Sequence, residues 1–324
     1  MKKFIILATL TLLMLLALVG CGCQDKIEYC DGNHVEEIIP AKEATCEETG
    51  LTEGKKCAIC DDIIVMQEVT PKLSHVYKDT YKCEACGNTV KESQGLGFTL
   101  DTASNTYILT SIGTCDDDDL VIPITYEGLP VTKIDSYVLF NNPMKTFTLS
   151  HNITEIGDYS ISSCTYLTNI TVSTENTAYK SVNGDLYTKD GKALLQYAIG
   201  KEDDTFEVPS GVEKIGACAF SSCENLKKIV LSDTVKEIGV SAFVNCHLLE
   251  KISLNKVEKI CDNAFYGCSM LEELTIPKGV TEMGIGVFIG CEDLKIICEA
   301  TSKPEGWSEY WNNGEPAIPV TWGK

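Results

Sequence analysis

The chain has 324 residues, 44% of them hydrophobic, and a formal net charge of −20. This is enough apolar material for a core, and the length allows more than one domain. All 27 basic residues are lysine, so the chain lacks the arginine that usually forms bidentate clamps on phosphate groups. Because nucleic-acid binding needs a basic surface, we expect no nucleic-acid partner for this acidic chain.

The N-terminus has the features of a targeting signal. Lys2 and Lys3 precede an uncharged apolar run over residues 4–19, which ends in Leu-Val-Gly-Cys21. This segment resembles a bacterial lipoprotein signal, with Leu-Val-Gly-Cys as its lipobox. The resemblance implies lipidation of Cys21 and a chain anchored at the outer face of the bacterial cell membrane. We therefore assign residues 1–20 to a signal peptide and 21–29 to a lipidated tether; a secretory signal without lipid or an uncleaved anchor helix are the alternatives.

Residues 30–90 are rich in cysteine and histidine and poor in large apolar side chains. Two Cys-x-x-Cys pairs are present, Cys57 with Cys60 and Cys83 with Cys86. Such a pair places two thiolates on one side of a tight loop, which suits a tetrahedral metal ion. A segment this short cannot build a sufficient core alone, so we expect a metal ion or disulfide bonds to hold it together.

This segment resembles small zinc-ribbon-like modules of bacterial surface proteins, in which each unit carries one histidine, one lone cysteine and one Cys-x-x-Cys pair. The resemblance implies structural zinc. The implied ligands are His34, Cys46, Cys57 and Cys60 in the first unit, and His75, Cys83 and Cys86 in the second, with Cys30 as a candidate fourth ligand. Two alternatives stay open. The two Cys-x-x-Cys pairs could form one ribbon without the histidines, or the cysteines could form disulfide bonds, which are common in exported modules.

Residues 95–324 contain an internal repeat of 22 or 23 residues. Clear copies begin at Ile215, Ile238, Ile260 and Met283, and weaker copies begin at Ile134 and Ile156. Each clear copy contains Ala-Phe or Val-Phe, which predicts a turn, and then an alternating apolar segment such as Leu-x-x-Ile-x-Leu, which predicts a short strand. One copy cannot bury its own apolar edge, so we expect a leucine-rich repeat solenoid of short parallel β-strands joined by turns or short helices.

Equivalent side chains of stacked repeats should form columns inside the solenoid. The expected columns are Phe220, Phe243, Phe265 and Phe288, and then Cys223, Cys246, Cys268 and Cys291. Neighbouring strands lie about 4.8 Å apart, which is too far for a disulfide between equivalent Cβ atoms. We therefore predict that these cysteines are buried free thiols that act as small apolar residues.

The repeats closely resemble the BspA-type leucine-rich repeats of bacterial cell-surface proteins, through Ile-Gly, Ala-Phe, Cys, Leu and Ile-x-Leu at matching positions. Residues 173–210 resemble that family's long inserted repeat, and residues 298–324 resemble its C-terminal cap. The resemblance implies a surface-displayed adhesion or interaction protein that binds an extracellular protein or glycan. The alternative is a structural envelope protein in which the solenoid is a spacer and the cysteine and histidine module is the binding head.

One face of the solenoid is the candidate binding face, because solenoids commonly bind partners across their exposed strand positions. The residues at these positions are Lys227, Lys228, Glu250, Lys251, Glu272 and Glu273. The alternative is that this face is only a solvated surface and binds no partner. We find no nucleophile elbow, phosphate loop or pair of catalytic carboxylates in the sequence. We therefore predict a binding protein and not an enzyme.

Overall fold

The computed structural model describes residues 34–70, 81–83, 85–313 and 318–324. The chain divides into two compact units, Met1–Leu73 and Ser74–Lys324. Among the described residues, no helix has the length and apolar character needed to cross a membrane. The signal peptide, Cys21, Cys30 and His75 lie outside the described residues, so the roles assigned to them stay predictions.

Short antiparallel strands build the first unit. They are β1 (Glu36–Ile39), β2 (Gly50–Leu51), β3 (Gly54–Cys57), β4 (Ile63–Val65) and β5 (Val69–Thr70). Three of them form a sheet in the order β1–β3–β4, and β2 pairs with β5. The register places Glu36 opposite Cys57, so the residues just before β1 lie beside the end of β3.

The second unit is a β-solenoid, which confirms the predicted fold. The described residues of this unit form strands and turns and contain no helix, so turns alone connect the strands there. Its strands are β6 (Gly97–Asp101), β7 (Thr106–Ser111), β8 (Asp119–Val121), β9 (Thr125–Tyr126), β10 (Leu129–Ile134), β11 (Thr146–Leu149), β12 (Glu155–Ile156), β13 (Asn169–Val172), β14 (Tyr179–Val182), β15 (Asp185–Thr188), β16 (Ala193–Gln196), β17 (Thr205–Glu207), β18 (Lys214–Ile215), β19 (Lys228–Val230), β20 (Glu237–Ile238), β21 (Lys251–Ser253), β22 (Lys259–Ile260), β23 (Glu273–Ile276), β24 (Glu282–Met283), β25 (Lys295–Cys298) and β26 (Val320–Trp322).

Two series of parallel strands run along the solenoid, and each repeat contributes one strand to each series. We call the first series the first ladder; it comprises the sheets β8–β11–β13, β17–β19–β21 and β23–β25–β26. The second series, the second ladder, comprises β10 and β12 and then β16, β18, β20, β22 and β24. Between the two parts of the second ladder, β14, β15 and β16 form an antiparallel meander within the predicted inserted repeat.

A column of stacked aromatic rings fills the interior, as the repeat predicts. The ring centroids of Phe220, Phe243, Phe265 and Phe288 lie 5.0, 5.1 and 5.6 Å apart in turn, with nearly parallel planes. Trp311 covers the last ring edge-on at 6.1 Å. All four phenylalanines are fully buried, so the column joins successive turns into one continuous apolar core.

The cysteine column is also buried, which confirms that part of the prediction. Three of the four thiols reach the phenylalanine of the preceding turn: Cys246, Cys268 and Cys291 donate to the carbonyls of Phe220, Phe243 and Phe265 at 3.1, 3.2 and 3.1 Å. Burial raises the pKa of the Cys246 thiol well above its ordinary value. The cysteines of this column are therefore small apolar residues, and three of them also satisfy a main-chain acceptor.

A residue with left-handed backbone conformation recurs at one corner of the solenoid. The sequence does not indicate it. Tyr137, Tyr159, Cys218, Ser241 and Asn263 follow their strands at equivalent places, and all have φ between 53° and 62°. Left-handed backbone is uncommon for residues other than glycine and asparagine. The backbone geometry of the stacked turn therefore overrides the local preference of the side chain.

Candidate metal centre and binding face

The first Cys-x-x-Cys pair forms the turn between β3 and β4. The N–H of Asp61 donates to the carbonyl of Cys57 at 2.9 Å, and Asp61 adopts φ of 60°, which closes the turn tightly. The N–H of Ala58 donates to the carbonyl of Val35 at 2.8 Å, so this turn is fastened to the residues just before β1. His34 belongs to those residues, and the sheet register therefore brings it to the turn.

Three metal-binding atoms meet at this turn. The ligand atoms of His34, Cys57 and Cys60 lie within 4.8 Å of one another, and His34 Nδ1 is 3.6 Å from Cys60 Sγ. In a tetrahedral zinc site, Zn–N and Zn–S bonds of 2.0–2.3 Å place neighbouring ligand atoms about 3.5 Å apart. The two cysteines are buried and the histidine is exposed. The geometry of these three residues therefore fits a structural zinc ion.

The surroundings of Cys57 favour its thiolate form. Hydrogen bonds from the main-chain N–H groups of Cys60 and Ile59, with a contribution from His34, lower the pKa of the Cys57 thiol to about 5, although burial acts in the opposite direction. The N–H of Ile59 is 3.4 Å from the sulfur. The thiolate is the form of cysteine that binds zinc.

The second Cys-x-x-Cys pair makes the same turn. The N–H of Gly87 donates to the carbonyl of Cys83 at 2.8 Å, and the N–H of Cys83 donates to the carbonyl of Asn88 at 2.7 Å. The equivalent bonds of the first turn measure 2.9 and 2.8 Å. Gly87 has φ of 76°, so it supplies the left-handed residue that Asp61 supplies in the first turn. Both predicted Cys-x-x-Cys loops thus have the shape that zinc loops require.

The structure groups only some of the predicted ligands of the first unit. The group contains His34, Cys57 and Cys60 but not Cys46, which lies beside a turn where Thr45 Oγ1 accepts the N–H groups of Glu47 and Glu48. A role for Cys46 as the fourth ligand stays a prediction from the resemblance.

The six residues of the candidate binding face are all exposed and lie on or beside β19, β21 and β23 of the first ladder. Lys228 stands directly opposite Lys251 in the parallel register. Within the part of the chain that the structure describes, none of the six charged groups forms a salt bridge. Like charges opposite one another on a sheet are unfavourable, so this face carries charge that the protein itself does not neutralise.

On the second ladder, in contrast, the charged side chains pair with one another. Lys214, Glu237, Lys259 and Glu282 follow one another in register along β18, β20, β22 and β24, so that charge alternates from turn to turn. Salt bridges join Lys214 to Glu237 at 2.9 Å and Lys259 to Glu282 at 3.1 Å. The hydrogen bond from Lys214 lowers the pKa of the Glu237 carboxyl. This face neutralises its own charge.

A groove of about 870 Å³ opens on the first ladder between β21 and β23. Its lining includes Glu250, Lys251, Glu272 and Glu273 of the candidate binding face, together with Glu299. The groove coincides with the point where β21 ends one sheet and β23 begins the next. The predicted face is therefore a concave surface at this point.

Comparison with known proteins agrees with the repeat architecture. Residues 123–183 and 201–303, which together make up half of the chain, match the BspA type leucine rich repeat region in six copies. The chain belongs to this family. No curated protein matches it.

Several solved structures resemble this BspA-type chain. The crystal structure of the pneumococcal vaccine antigen PcpA is 26% identical with a TM-score of 0.54, and the match covers 63% of this chain and 51% of that one. A leucine rich cell surface protein from Faecalibacterium prausnitzii is 27% identical, with a TM-score of 0.43 and coverage of 59% and 55%. A leucine-rich repeat protein from Eubacterium ventriosum is 29% identical, with a TM-score of 0.43 and coverage of 58% and 44%. The match thus spans about half the length of these relatives.

Two features of this BspA-type solenoid, the groove and the missing salt bridges of the first ladder, cannot be predicted from the repeat pattern. The groove depends on a break in the sheet, and the missing salt bridges depend on which side chains the register places opposite one another. One sequence signal could have indicated the break: the turn that follows β21 is a residue shorter than its neighbours.

Proposed function

We propose that this protein is a lipid-anchored, surface-displayed binding protein with no enzymatic activity, and that the first ladder engages an extracellular protein or glycan. The observation that carries the proposal is the row of exposed charged side chains on the first ladder that have no salt-bridge partner among the described residues. Charge left unpaired on a folded surface is available to complement a partner. Membership of the BspA-type family and the N-terminal sequence support display at the cell surface.

The cysteine and histidine module is proposed to hold structural zinc through His34, Cys57 and Cys60, whose ligand atoms lie together. Metal analysis of the full purified chain should find zinc, and Cys60→Ser should reduce the zinc content while Cys246→Ala, in the solenoid, should not. Absence of zinc together with cysteines that resist alkylation until they are reduced would establish the disulfide alternative instead.

A second candidate function makes the first unit the binding head and the solenoid a spacer. A specific observation favours it: β4 is an edge strand of its sheet, and Ile63, Ile64 and Val65 are all exposed, as is Met66 at 76%. An exposed apolar edge strand is a surface on which an extended segment of another protein can pair.

Binding of the full chain to a panel of immobilised extracellular proteins and glycans distinguishes these two functions. The variant Lys228→Glu with Lys251→Glu alters the first ladder, and Ile64→Lys alters the edge strand. We expect the first variant to lose binding and the second to retain it. Loss of binding in Ile64→Lys alone would favour the spacer function, and a chain that binds no member of the panel would leave the first ladder without a demonstrated partner and contradict the proposal as tested.

A further inference from the structure

A pair of stacked tyrosine rings lies on the surface, at the corner that follows the second ladder. Tyr137 comes shortly after β10, and Tyr159 comes at the equivalent place after β12. Their ring centroids are 5.1 Å apart, and the ring planes differ by 10°. The ring of Phe140 packs edge-on against Tyr137 at 6.1 Å. We call these three rings the aromatic corner.

The aromatic corner is exposed to solvent, although its rings are large and mostly apolar. Tyr137 is 58% exposed and Phe140 is 49% exposed, while Tyr159 is half-buried. Because Tyr159 covers one face of the Tyr137 ring, the exposed area of that ring lies on its other face and its edges. The phenylalanine rings of the interior column, which stack at a similar spacing, are fully buried. The fold therefore gains little apolar burial from Tyr137 and Phe140.

The backbone at the two tyrosine positions favours smaller residues. Tyr137 and Tyr159 have φ of 62° and 58°, in the left-handed region where a bulky side chain is strained. Later copies of the repeat place Ser241, Asn263 and Gly286 at this position. Asparagine and glycine adopt left-handed backbone at the least cost. Strained residues cluster at ligand-binding sites, so two strained and exposed tyrosines indicate a function for their rings.

Polar groups beside the rings offer both hydrogen-bond donors and acceptors. The phenol hydroxyls of Tyr137 and Tyr159 have no hydrogen-bond partner in the part of the chain that the structure describes. Asp158, next to Tyr159, is exposed and has no salt-bridge partner among the described residues. Asp135, close to Tyr137 in the chain, is exposed as well. The aromatic corner thus combines apolar rings, hydroxyl donors and carboxylate acceptors.

A neutral sugar ring matches these three properties together. Its C–H groups form an apolar face that packs on an aromatic ring, and each of its hydroxyls can both donate and accept a hydrogen bond. The two aspartates, on a chain of net charge −20, would repel an anionic ligand. A cationic ligand could use the rings and the carboxylates but would leave the phenol hydroxyl donors without an acceptor. These observations favour a neutral glycan over a charged ligand.

We propose that the aromatic corner is a binding site for a neutral glycan. One sugar ring stacks on the exposed face of Tyr137, with Phe140 beside it, and the sugar hydroxyls bind the neighbouring carboxylates and phenol hydroxyls. The site belongs to the corner after the second ladder and contains no residue of the first ladder. It therefore adds a second binding surface and does not rest on the proposed function.

The test measures binding of the full chain to polyacrylamide polymers that carry lactose, cellobiose or chitobiose, with bare polymer as the blank. The variant Tyr137→Asn with Tyr159→Asn removes both rings but suits the left-handed backbone, so its melting temperature should stay within about 3 °C of wild type. We expect wild type to bind at least one sugar polymer and this variant to bind it at least about tenfold more weakly. The matched control, Tyr166→Asn with Tyr310→Asn, removes two other exposed tyrosines and should bind within about twofold of wild type.

Saturation-transfer NMR with the free disaccharide gives a second readout. Wild type should transfer saturation to the C–H protons of one sugar face, and the Tyr137 and Tyr159 variant should not. Absence of binding to all three sugar polymers, or equal binding by wild type and this variant, would overturn the inference. Stronger binding of a peptide of alternating arginine and serine at the same rings would overturn it too, in favour of a cationic ligand.

The first-ladder variant, Lys228→Glu with Lys251→Glu, separates this inference from the proposed function. Sugar binding within about twofold of wild type in this variant supports a separate site, whereas loss of sugar binding would assign the sugar to the first ladder and overturn the inference. If the aromatic corner fails its test and the first-ladder variant still loses its panel partner, the proposed function stands and only the glycan site is wrong.

Discussion

In the repeats that begin at Ile215, Ile238 and Ile260, the two ladders of the solenoid differ in how their charged side chains are paired. On the second ladder, lysine and glutamate alternate in register and close into salt bridges. On the first ladder, Lys228 faces Lys251, and the three glutamates of the candidate face lie beside a break in the sheet. Both ladders enclose the same core, so packing does not require this difference. We infer that the salt bridges of the second ladder stabilise the fold and that the first ladder binds a partner.

The shared core should respond to mutation far more strongly than either face. Phe243→Ala removes one ring from the column and leaves a cavity, so we expect it to lower the free energy of unfolding by about 3–5 kcal/mol. The rate of main-chain amide hydrogen exchange should increase in the strands of both ladders. The control Leu248→Ala removes a side chain that is 41% exposed in the same repeat and should cost less than about 1 kcal/mol. If Phe243→Ala lowers the free energy of unfolding no more than the control does, the phenylalanine column is not the core of the solenoid.

Reversing one charge on the second ladder should destabilise the fold. Glu237→Lys would place three lysines in a row along β18, β20 and β22, and would replace an attractive contact with Lys214 by a repulsive one. We expect the free energy of unfolding to fall by about 1 kcal/mol, measured by chemical denaturation. Glu237→Gln, which removes the attraction without adding repulsion, should give about half of that loss. An unchanged stability in Glu237→Lys would show that the alternating charges contribute nothing.

Reversing one charge on the first ladder should not lower the free energy of unfolding. Lys228→Glu would place a carboxylate opposite Lys251 and remove a like-charge contact, so we expect stability to stay constant or rise by up to about 0.5 kcal/mol. The two reversals can be compared in one denaturation series at low salt, where exposed charges act most strongly. A loss of stability in Lys228→Glu as large as that in Glu237→Lys would remove the distinction between the ladders.

The smallest expected effect is a dependence on acid pH. Because Lys214 lowers the pKa of Glu237 in the folded protein, the folded state binds a proton at this site less readily than the unfolded state does. The stabilisation is therefore present above the pKa of about 4.3 that glutamate has in an unfolded chain, and it is lost as pH falls through the lower folded value. Unfolding measured from pH 5 to pH 3 should show a loss a few tenths of a kcal/mol larger in wild type than in Glu237→Gln. Identical pH profiles would contradict this assignment.

The sequence predicts the interior of the solenoid well because each column follows directly from the repeat. A residue that recurs every 22 or 23 positions must stack on its equivalents, and the phenylalanine and cysteine columns do so. The sequence predicts the exposed faces less well. Whether Lys228 meets a lysine or a glutamate depends on the register between strands, and the groove lies where the pairing between β21 and β23 is broken.

The sequence likewise predicts one part of the candidate metal centre and not the other. The spacing of Cys57 and Cys60 predicts their turn, because local chain geometry determines it. The approach of His34 depends on the pairing of β1 with β3, and these two four-residue strands lack the alternation of apolar and polar residues that would fix their pairing from sequence alone. The sequence does not indicate the left-handed conformation of Tyr137 and Tyr159 for a related reason, since the stacked turn and not the side chain determines their backbone conformation.

The most direct test of the first ladder as the binding surface compares matched charge reversals on the two ladders. Lys228→Glu with Lys251→Glu alters the first ladder, and Lys214→Glu with Lys259→Glu alters the second by the same charge. The dissociation constant is measured for the panel member that binds wild type most tightly. We predict about tenfold weaker binding for the first pair and less than about twofold change for the second. Equal weakening by both pairs, or a larger effect on the second ladder, would contradict the account.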